Sequence, residues 1–266
     1  MTQDLFRQDA YVQECSAKII AITDEGVVLD RTVFYPLGGG QAGDAGWLAL
    51  SDGSEVPIAD TRKCKDAEGK PTAGILHVFA GGLGLQTNEN QRKELLNAEQ
   101  PTARAQAHLK PGDSVTARID WPRRHRLMRF HTATHLLCHI VPQLVNGCSI
   151  TPDYARLDFN MTDPLDKDAL TEALAKLVDA ALPVVVGSIT EAELDANPAL
   201  VKSMSVSPPR GSGVIRTIRV GTEQLIDLQP CGGTHVANTS EIGRVVVTKI
   251  EKKSATTRRV VLGFAA

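Results

Sequence analysis

Two short motifs about a hundred residues apart constrain this chain more than any other feature. They are His131-Thr132-Ala133-Thr134-His135 and Cys231-Gly232-Gly233-Thr234-His235. The first lies in a run, Arg123–Val141, whose apolar positions (Leu127, Phe130, Ala133 or Thr134, Leu137, Val141) recur at helical spacing, which predicts a helix that starts at Asp120-Trp121-Pro122, with Pro122 in its first turn, and is ended or kinked by Pro142. Histidines four apart on a helix share a face, so their ring nitrogens can converge on one cation. The second motif follows Pro230 and holds two glycines, so it reads as a turn. Three imidazoles and one thiolate form a donor set that suits one tetrahedral Zn2+ per chain. Each motif alone is a weak signal. Helix histidines are as often satisfied by backbone or water, and a single cysteine is more often a small buried apolar residue. Three of the seven histidines falling into two such pairs is much harder to ascribe to chance.

Other titratable residues read as bystanders. His139 extends the ladder one turn beyond His135 and is expected to be surface or supporting. Cys138 and Cys148 are expected to pack, and His125 to be solvated. A zinc peptidase of the HExxH kind needs a glutamate as general base. This chain has Thr132 at that position.

The background is that of a soluble globular protein: 266 residues, 42% hydrophobic and 23% charged, the size of two small domains. No stretch approaches the ~18 apolar residues of a membrane span, and Met1–Leu5 lacks the pattern of a secretory signal. Five scattered cysteines make a poor disulfide framework. A cytoplasmic setting without membrane association is the expectation. Net charge is −2, but residues 1–120 carry −5 (12 basic, 17 acidic) and residues 121–266 carry +3 (17 basic, 14 acidic). A polyanion would therefore find the second half the better platform. Aromatics are only 4%, too few for base stacking to dominate.

Short strands punctuated by glycine fill the first ~115 residues and predict a small barrel. They are expected at Ala17–Ile22 and Val27–Leu29 around a Thr23–Gly26 turn, then at Thr32–Tyr35, Trp47–Leu50, Val56–Ile58, Ile75–Val78 and Ser114–Ile119. Gln86–His108 reads as a polar, helix-prone excursion. From residue 119 helices interleave with strands. A second helix is expected after Asp163-Pro164 and a third from the capping-box spacing Thr190–Glu193. Strands are expected at Val184–Ile189, Val214–Val220, Gln224–Leu228, Arg244–Ile250 and Arg259–Phe264. The expected architecture is α+β, with a small N-terminal β-barrel over 1–118 followed by a two-layer α+β domain over 119–266.

The paired motifs His131-Thr-Ala-Thr-His135-Leu-Leu and Cys231-Gly-Gly-Thr-His235-Val resemble the editing domain shared by alanyl-tRNA synthetases and the alanyl-tRNA editing proteins, the AlaX family. Arg129, Arg156-Leu157-Asp158-Phe159 and Ile242-Gly243 match further pieces of it. The run Thr32-Val33-Phe34-Tyr35-Pro36-Leu37-Gly38-Gly39-Gly40-Gln41-Ala42-Gly43-Asp44-Ala45-Gly46 is similar to the glycine-rich motif of the barrel before that domain. The resemblance implies a threonyl/alanyl-tRNA synthetase type of editing fold. It also implies ATP-independent, zinc-dependent hydrolysis of the aminoacyl ester on mischarged tRNA(Ala), chiefly seryl and in some members glycyl. The length is that of the medium-sized class, and no aminoacylation core is expected. Monomer and homodimer both stay open. So do two other readings: a zinc-stabilised tRNA-binding module without catalysis, and editing of a different misacylated tRNA.

By ligand type, spacing and resemblance alike, His131, His135, Cys231 and His235 are the metal ligands. The hydroxyls of Thr132, Thr134, Ser149 and Thr151 are candidates to read a substrate hydroxyl, each against a plain turn or helix role. Gly232 and Gly233 would allow close approach and offer N–H donors to a developing oxyanion. For tRNA phosphates the candidates are Arg123, Arg124, Arg126 and Arg129 on the turns that lead to the two helix histidines and Lys252, Lys253, Arg258 and Arg259 flanking the last hairpin. Gln41, in the glycine-rich run, is grouped with them as its most functional residue.

Overall fold

The computed structural model describes residues 1–80, 109–208, 210–211 and 213–265, so the expected excursion at Gln86–His108 lies outside the described residues. Two compact units emerge. One comprises Met1–Gly38 and Gly43–Arg124, the other Gly39–Ala42 and His125–Ala266. The first helical turn of the metal helix thus groups with the first unit, and a four-residue piece of the glycine-rich run groups with the second.

The first unit opens with strand β1 (Gln3–Asp4) and the single turn α1 (Leu5–Gln8). Then come β2 (Glu14–Ile22), β3 (Gly26–Leu29), β4 (Arg31–Thr32), β5 (Gly46–Ala49), β6 (Glu55–Lys65), β7 (Pro71–Phe79) and β8 (Ser114–Ile119). Six of these close a barrel in the order β2-β3-β7-β6-β5-β8, while β1 and β4 pair in parallel outside it. Strand alternation sends Ile19, Val27, Leu29, Leu48, Val56, Ile58, Val115, Ala117 and Ile119 into one apolar cluster with Phe34 and Phe79. His77 is also fully buried here. Its Nδ1 lies 3.2 Å from Val27 O and its Nε2 2.7 Å from Thr32 Oγ1, and burial pushes its pKa down to about 4.

One expected strand fails. Thr32–Tyr35 is extended only as far as Thr32, because the following amides bond to side chains instead of a neighbouring strand. Phe34 N donates to Thr32 Oγ1 (3.0 Å) and Tyr35 N to Asp44 Oδ2 (2.6 Å). Asp44 is completed by a second partner, Arg124. Its guanidinium Nε lies 3.0 and 2.9 Å from the two carboxylate oxygens, Nη2 also reaches Asp44, and both side chains are shut from solvent. Nη2 donates to Val33 O (2.6 Å) and Nη1 to Ala10 O (3.1 Å).

The second unit is built on α2 (Trp121–Ile140), whose segment Phe130–Cys138 is buried on every side. Around it lie β9 (Val145–Ile150), β10 (Ala155–Asn160), α3 (Lys167–Asp179), β11 (Val184–Thr190), α4 (Glu191–Ala196), β12 (Val214–Val220), β13 (Asp227–Pro230), β14 (Val245–Ser254) and β15 (Thr257–Phe264). The strands form an antiparallel sheet β14-β15-β10-β9 and a smaller one, β11-β12-β13. Phe130 of α2 stacks on Phe264 of β15 at 4.1 Å, and Thr171 of α3 accepts a hydrogen bond from Val247 N of β14. The result is an α+β arrangement, as the sequence predicts.

Element ends are set where side chains cap them. α3 starts at Lys167, after Asp163-Pro164 as the sequence predicts, and its first residue is set by Asp166, which accepts from Asp168 N and Ala169 N. The Thr190/Glu193 capping box is present at the start of α4. Strands β9 and β10 were not anticipated, although the matched piece Arg156–Phe159 lies in β10.

Candidate metal centre

All four expected ligands meet inside the second unit. His131 and His135 sit one turn apart on α2, and Cys231 and His235 on the turn after β13. Their ligand atoms lie within 4.8 Å of one another, the histidines buried and Cys231 partly open. Cys231 Sγ is 3.5 Å from His131 Nε2 and 3.3 Å from His235 Nε2. A tetrahedral zinc with Zn–S about 2.3 Å and Zn–N about 2.0–2.1 Å would hold sulfur and nitrogen about 3.5 Å apart. The donor set and its spacing therefore fit that ion.

What fixes the rings is a different partner for each Nδ1. His131 Nδ1 faces Gln41 Oε1 at 2.7 Å, His135 Nδ1 faces Asp227 Oδ2 at 2.8 Å, and His235 Nδ1 faces Thr132 Oγ1 at 3.1 Å. The network sets the tautomers. Thr234 N donates to Gln41 Oε1 (3.2 Å), so that oxygen is an acceptor and takes its second proton from His131. The Thr132 hydroxyl spends its proton on Met128 O (3.0 Å) and accepts from Val236 N (3.3 Å), so His235 must donate to it. Asp227 accepts from Gln229 Nε2 (2.9 Å) as well as from His135. Each imidazole is thereby a donor at Nδ1, and its Nε2 is left as the site for a cation.

The charges are consistent with that role. Burial alone would raise the Cys231 thiol, but the neighbouring His131 and His235 outweigh it and hold it well below the ordinary range, as thiolate. Burial and His131 depress His235. Burial works against charge on His135, yet its bonds to Asp227 and Cys231 win and raise it to about 10. A divalent cation at the Nε2 atoms competes for that proton, so metal uptake releases it. Burial drives Cys138 and Cys148 up to about 12, leaving them neutral packing thiols.

Gly233 has no room for a side chain: a Cβ there would lie 2.1 Å from His131 Cε1. Gly39 and Gly40 take positive φ (57° and 85°), which turns the chain to bring Gln41 inward. Gly40 O and Ala42 N both bond to Ile150 of β9, at 2.7 and 3.0 Å.

The other expected site residues divide. Thr132 and Thr134 are buried with their hydroxyls donated to helix carbonyls, Thr134 to His131 O at 2.7 Å. Thr151 closes a turn with Tyr154. Cys148 lies against Gly40, so strand alternation turns Ser149 to the opposite face of β9. Gly233 N points to Cys231 Sγ at 3.4 Å, whereas the exposed Gly232 amide has no partner among the described residues.

Several expected phosphate ligands are inward. Gln41 is fully buried against His131, not on a surface facing tRNA, and Arg124 is enclosed with Asp44. Arg258 is 8% exposed and donates to Thr162 O. Arg126 and Arg129 flank the Phe264 ring at 5.0 and 3.9 Å and donate to Pro152 O and Ile242 O. Arg123 donates to Gly43 O, and Arg259 pairs with Asp158 at 2.7 and 2.8 Å. Lys252 and Lys253 are exposed. Asp227 and Arg216, both next to the ligands, carry no spacing signal and were missed.

A closed barrel, an α+β unit and an enclosed three-imidazole, one-thiolate pocket define a protein related to the class II tRNA synthetases. The family model described as threonyl and alanyl tRNA synthetase second additional domain matches residues 215–261, which include Cys231 and His235. The model of class II (A) tRNA synthetases matches residues 6–73. The chain is 30% identical to the alanyl-tRNA editing protein AlaX-M of Saccharolobus solfataricus and 32% identical to that of Methanosarcina barkeri, in each case over 98% of both chains. It is 33% identical to the alanine–tRNA ligase of Metallosphaera sedula over 94% of its own length, which spans 25% of that ligase. The chain belongs to the alanyl-tRNA editing protein family of the AlaX-M type. Among the described residues no helix is long and apolar enough to cross a membrane.

Proposed function

We propose that this chain is a trans-editing deacylase that hydrolyses the aminoacyl ester of mischarged tRNA(Ala), with the seryl ester as principal substrate and the glycyl ester as a second one. The observation that carries the reading is the pocket of His131, His135, Cys231 and His235, each imidazole pinned at Nδ1, in a chain of the editing family. One zinc per chain is the proposed occupant, and when bound it supplies positive charge and Lewis acidity at the pocket. Cys231 and Gly232 form its solvent-accessible side, so the acyl group enters there. The Gly232 N–H is the donor available to the acyl oxygen. Water adds to the ester carbon, the carbonyl π pair moves to oxygen, and collapse breaks the bond to the ribose oxygen. That oxygen takes the proton the water gives up. Exposed Lys252 and Lys253 are the proposed phosphate contacts.

A second reading draws on the same pocket. Four protein ligands leave no open position in a tetrahedral shell, which is the mark of structural zinc. Deacylation of seryl-tRNA(Ala) and alanyl-tRNA(Ala), measured together with zinc content, separates the two. Rapid loss of serine alone at about one zinc per chain supports the deacylase. Full zinc and tRNA binding without hydrolysis supports a binding module or another misacylated substrate.

A further inference from the structure

We propose that Arg216 is a positioning residue that sets the Gly232 N–H to receive the acyl oxygen of the substrate; this rests on the deacylase reading above. Arg216 lies on β12, and it grips the metal-binding turn twice. Its carbonyl accepts from Cys231 N at 3.1 Å. Its Nη1 donates to Cys231 O at 2.6 Å and to Gly233 O at 3.1 Å. In a trans peptide the N–H points opposite to the C=O of the same plane. Two planes with their carbonyls on one guanidinium must therefore aim their amides, those of Gly232 and Thr234, away from it. For Thr234 the destination is visible: its N–H meets Gln41 Oε1, the atom that also takes the His131 Nδ1 proton. The side opposite Arg216 is thus the side of the metal ligands.

The intervening plane runs the other way, and Gly233 N donates to Cys231 Sγ at 3.4 Å. Of the three amides, Thr234 and Gly233 are engaged within the pocket. Gly232 is the exposed residue, and its amide has no partner among the described residues. A preorganised N–H of this kind strengthens its bond as charge develops on the acyl oxygen, and so acts on the transition state more than on the ground state. The guanidinium fork suits this role, because its N–H groups are held in one plane and one nitrogen spans two carbonyls.

The test compares Arg216→Met, Arg216→Lys, Gly232→Pro and the double variant Arg216→Met/Gly232→Pro with the parent. Zinc content is measured alongside kcat and KM on seryl-tRNA(Ala). Arg216→Met and Gly232→Pro should each lower kcat on the order of 10²–10³-fold, the loss expected for one oxyanion donor. KM should stay within about twofold and zinc at about one per chain. The double variant should be no worse than either single one, and Arg216→Lys, which keeps a donor, should fall between parent and Arg216→Met. Unchanged kcat in Gly232→Pro, multiplicative losses in the double variant, or loss of zinc in Arg216→Met would overturn the assignment. Amide NMR gives a readout that does not depend on activity. The Gly232 and Thr234 N–H resonances should shift together in Arg216→Met, and their constancy would also overturn it. An inactive parent whose Gly232 and Thr234 amides still respond would remove the deacylase reading and leave Arg216 as the brace of the turn.

Discussion

Replacing Arg124 by methionine separates a structural role from a nucleic-acid role more sharply than any other single change. The arginine lies among the basic residues at the start of α2, where sequence alone groups it with phosphate ligands. In the structure it is 0% exposed and donates to Asp44, Val33 O and Ala10 O. Methionine would leave the Asp44 carboxylate buried with only Tyr35 N as partner, beside two carbonyls without donors. Breaking a buried ion pair from one side costs about 3–5 kcal/mol. Each carbonyl adds about 1 kcal/mol where water does not reach it. Against a domain stability of about 5–15 kcal/mol this is a large share. Together these costs come to about 5–7 kcal/mol, so with m near 2 kcal/mol/M in urea the midpoint should fall by about 2.5–3.5 M. Both tryptophans, Trp47 and Trp121, lie in the first unit, so fluorescence reports its unfolding directly. Arg124→Met combined with Asp44→Asn should recover part of the loss, because the stranded charge is gone. The opposite result is equally definite. An unchanged midpoint, with the salt dependence of tRNA binding reduced by about 0.9 in slope, would make Arg124 a phosphate ligand and refute the burial argument.

Three further outcomes follow from particular contacts. His77, with a folded pKa of about 4 against 6.5 unfolded, stays neutral in the barrel while the unfolded chain takes up a proton. Stability is therefore full above pH 6.5 and falls by up to about 3 kcal/mol as pH drops towards 4. His77→Gln should flatten that part of the urea-midpoint profile, and parallel profiles would show that His77 does not titrate as described. Gly233→Ala would place a Cβ 2.1 Å from His131 Cε1, so the ring must move and zinc content should fall well below one per chain by elemental analysis. Asp227→Asn removes the carboxylate that orients His135, and competition with a chelator should show metal affinity lowered about 10–100-fold. Affinity equal to the parent would mean that the helix alone sets the His135 ring.

Much of the fold was legible because period and punctuation carry it. The barrel strands, the metal helix and the capping box at Thr190 all follow from local pattern. Val33–Tyr35 was misread because Asp44 supplies an acceptor that no window around residue 34 contains. Strands β9 and β10 were missed for a related reason. Asn146-Gly147 and the Arg156/Asp158 alternation look like turn and charge signals, and only the pairing of β10 with β15 and of β9 with β10 makes them a sheet. The basic residues misled in the same sense. Charge says that a side chain needs a partner but not which one, and Arg124, Arg126, Arg129 and Arg258 find theirs in buried carboxylate, carbonyls and an aromatic ring.

At the metal centre the donor atoms were readable but their holders were not, and the asymmetry has a chemical cause. A ligand set must present particular atoms, which restricts residue type and, on a helix, spacing. The atoms that orient those ligands need only accept one N–H bond each, and many groups do so. Here the three acceptors are a glutamine amide oxygen at 41, a threonine hydroxyl at 132 and a carboxylate at 227. They share no residue type and no spacing, yet they impose one result, a proton on every Nδ1. Gln41 reaches its ring only because Gly39 and Gly40 adopt positive φ and Ile150 holds both flanks of the turn. Gly39–Ala42 are thus part of how the candidate metal site is built, through the orientation of His131.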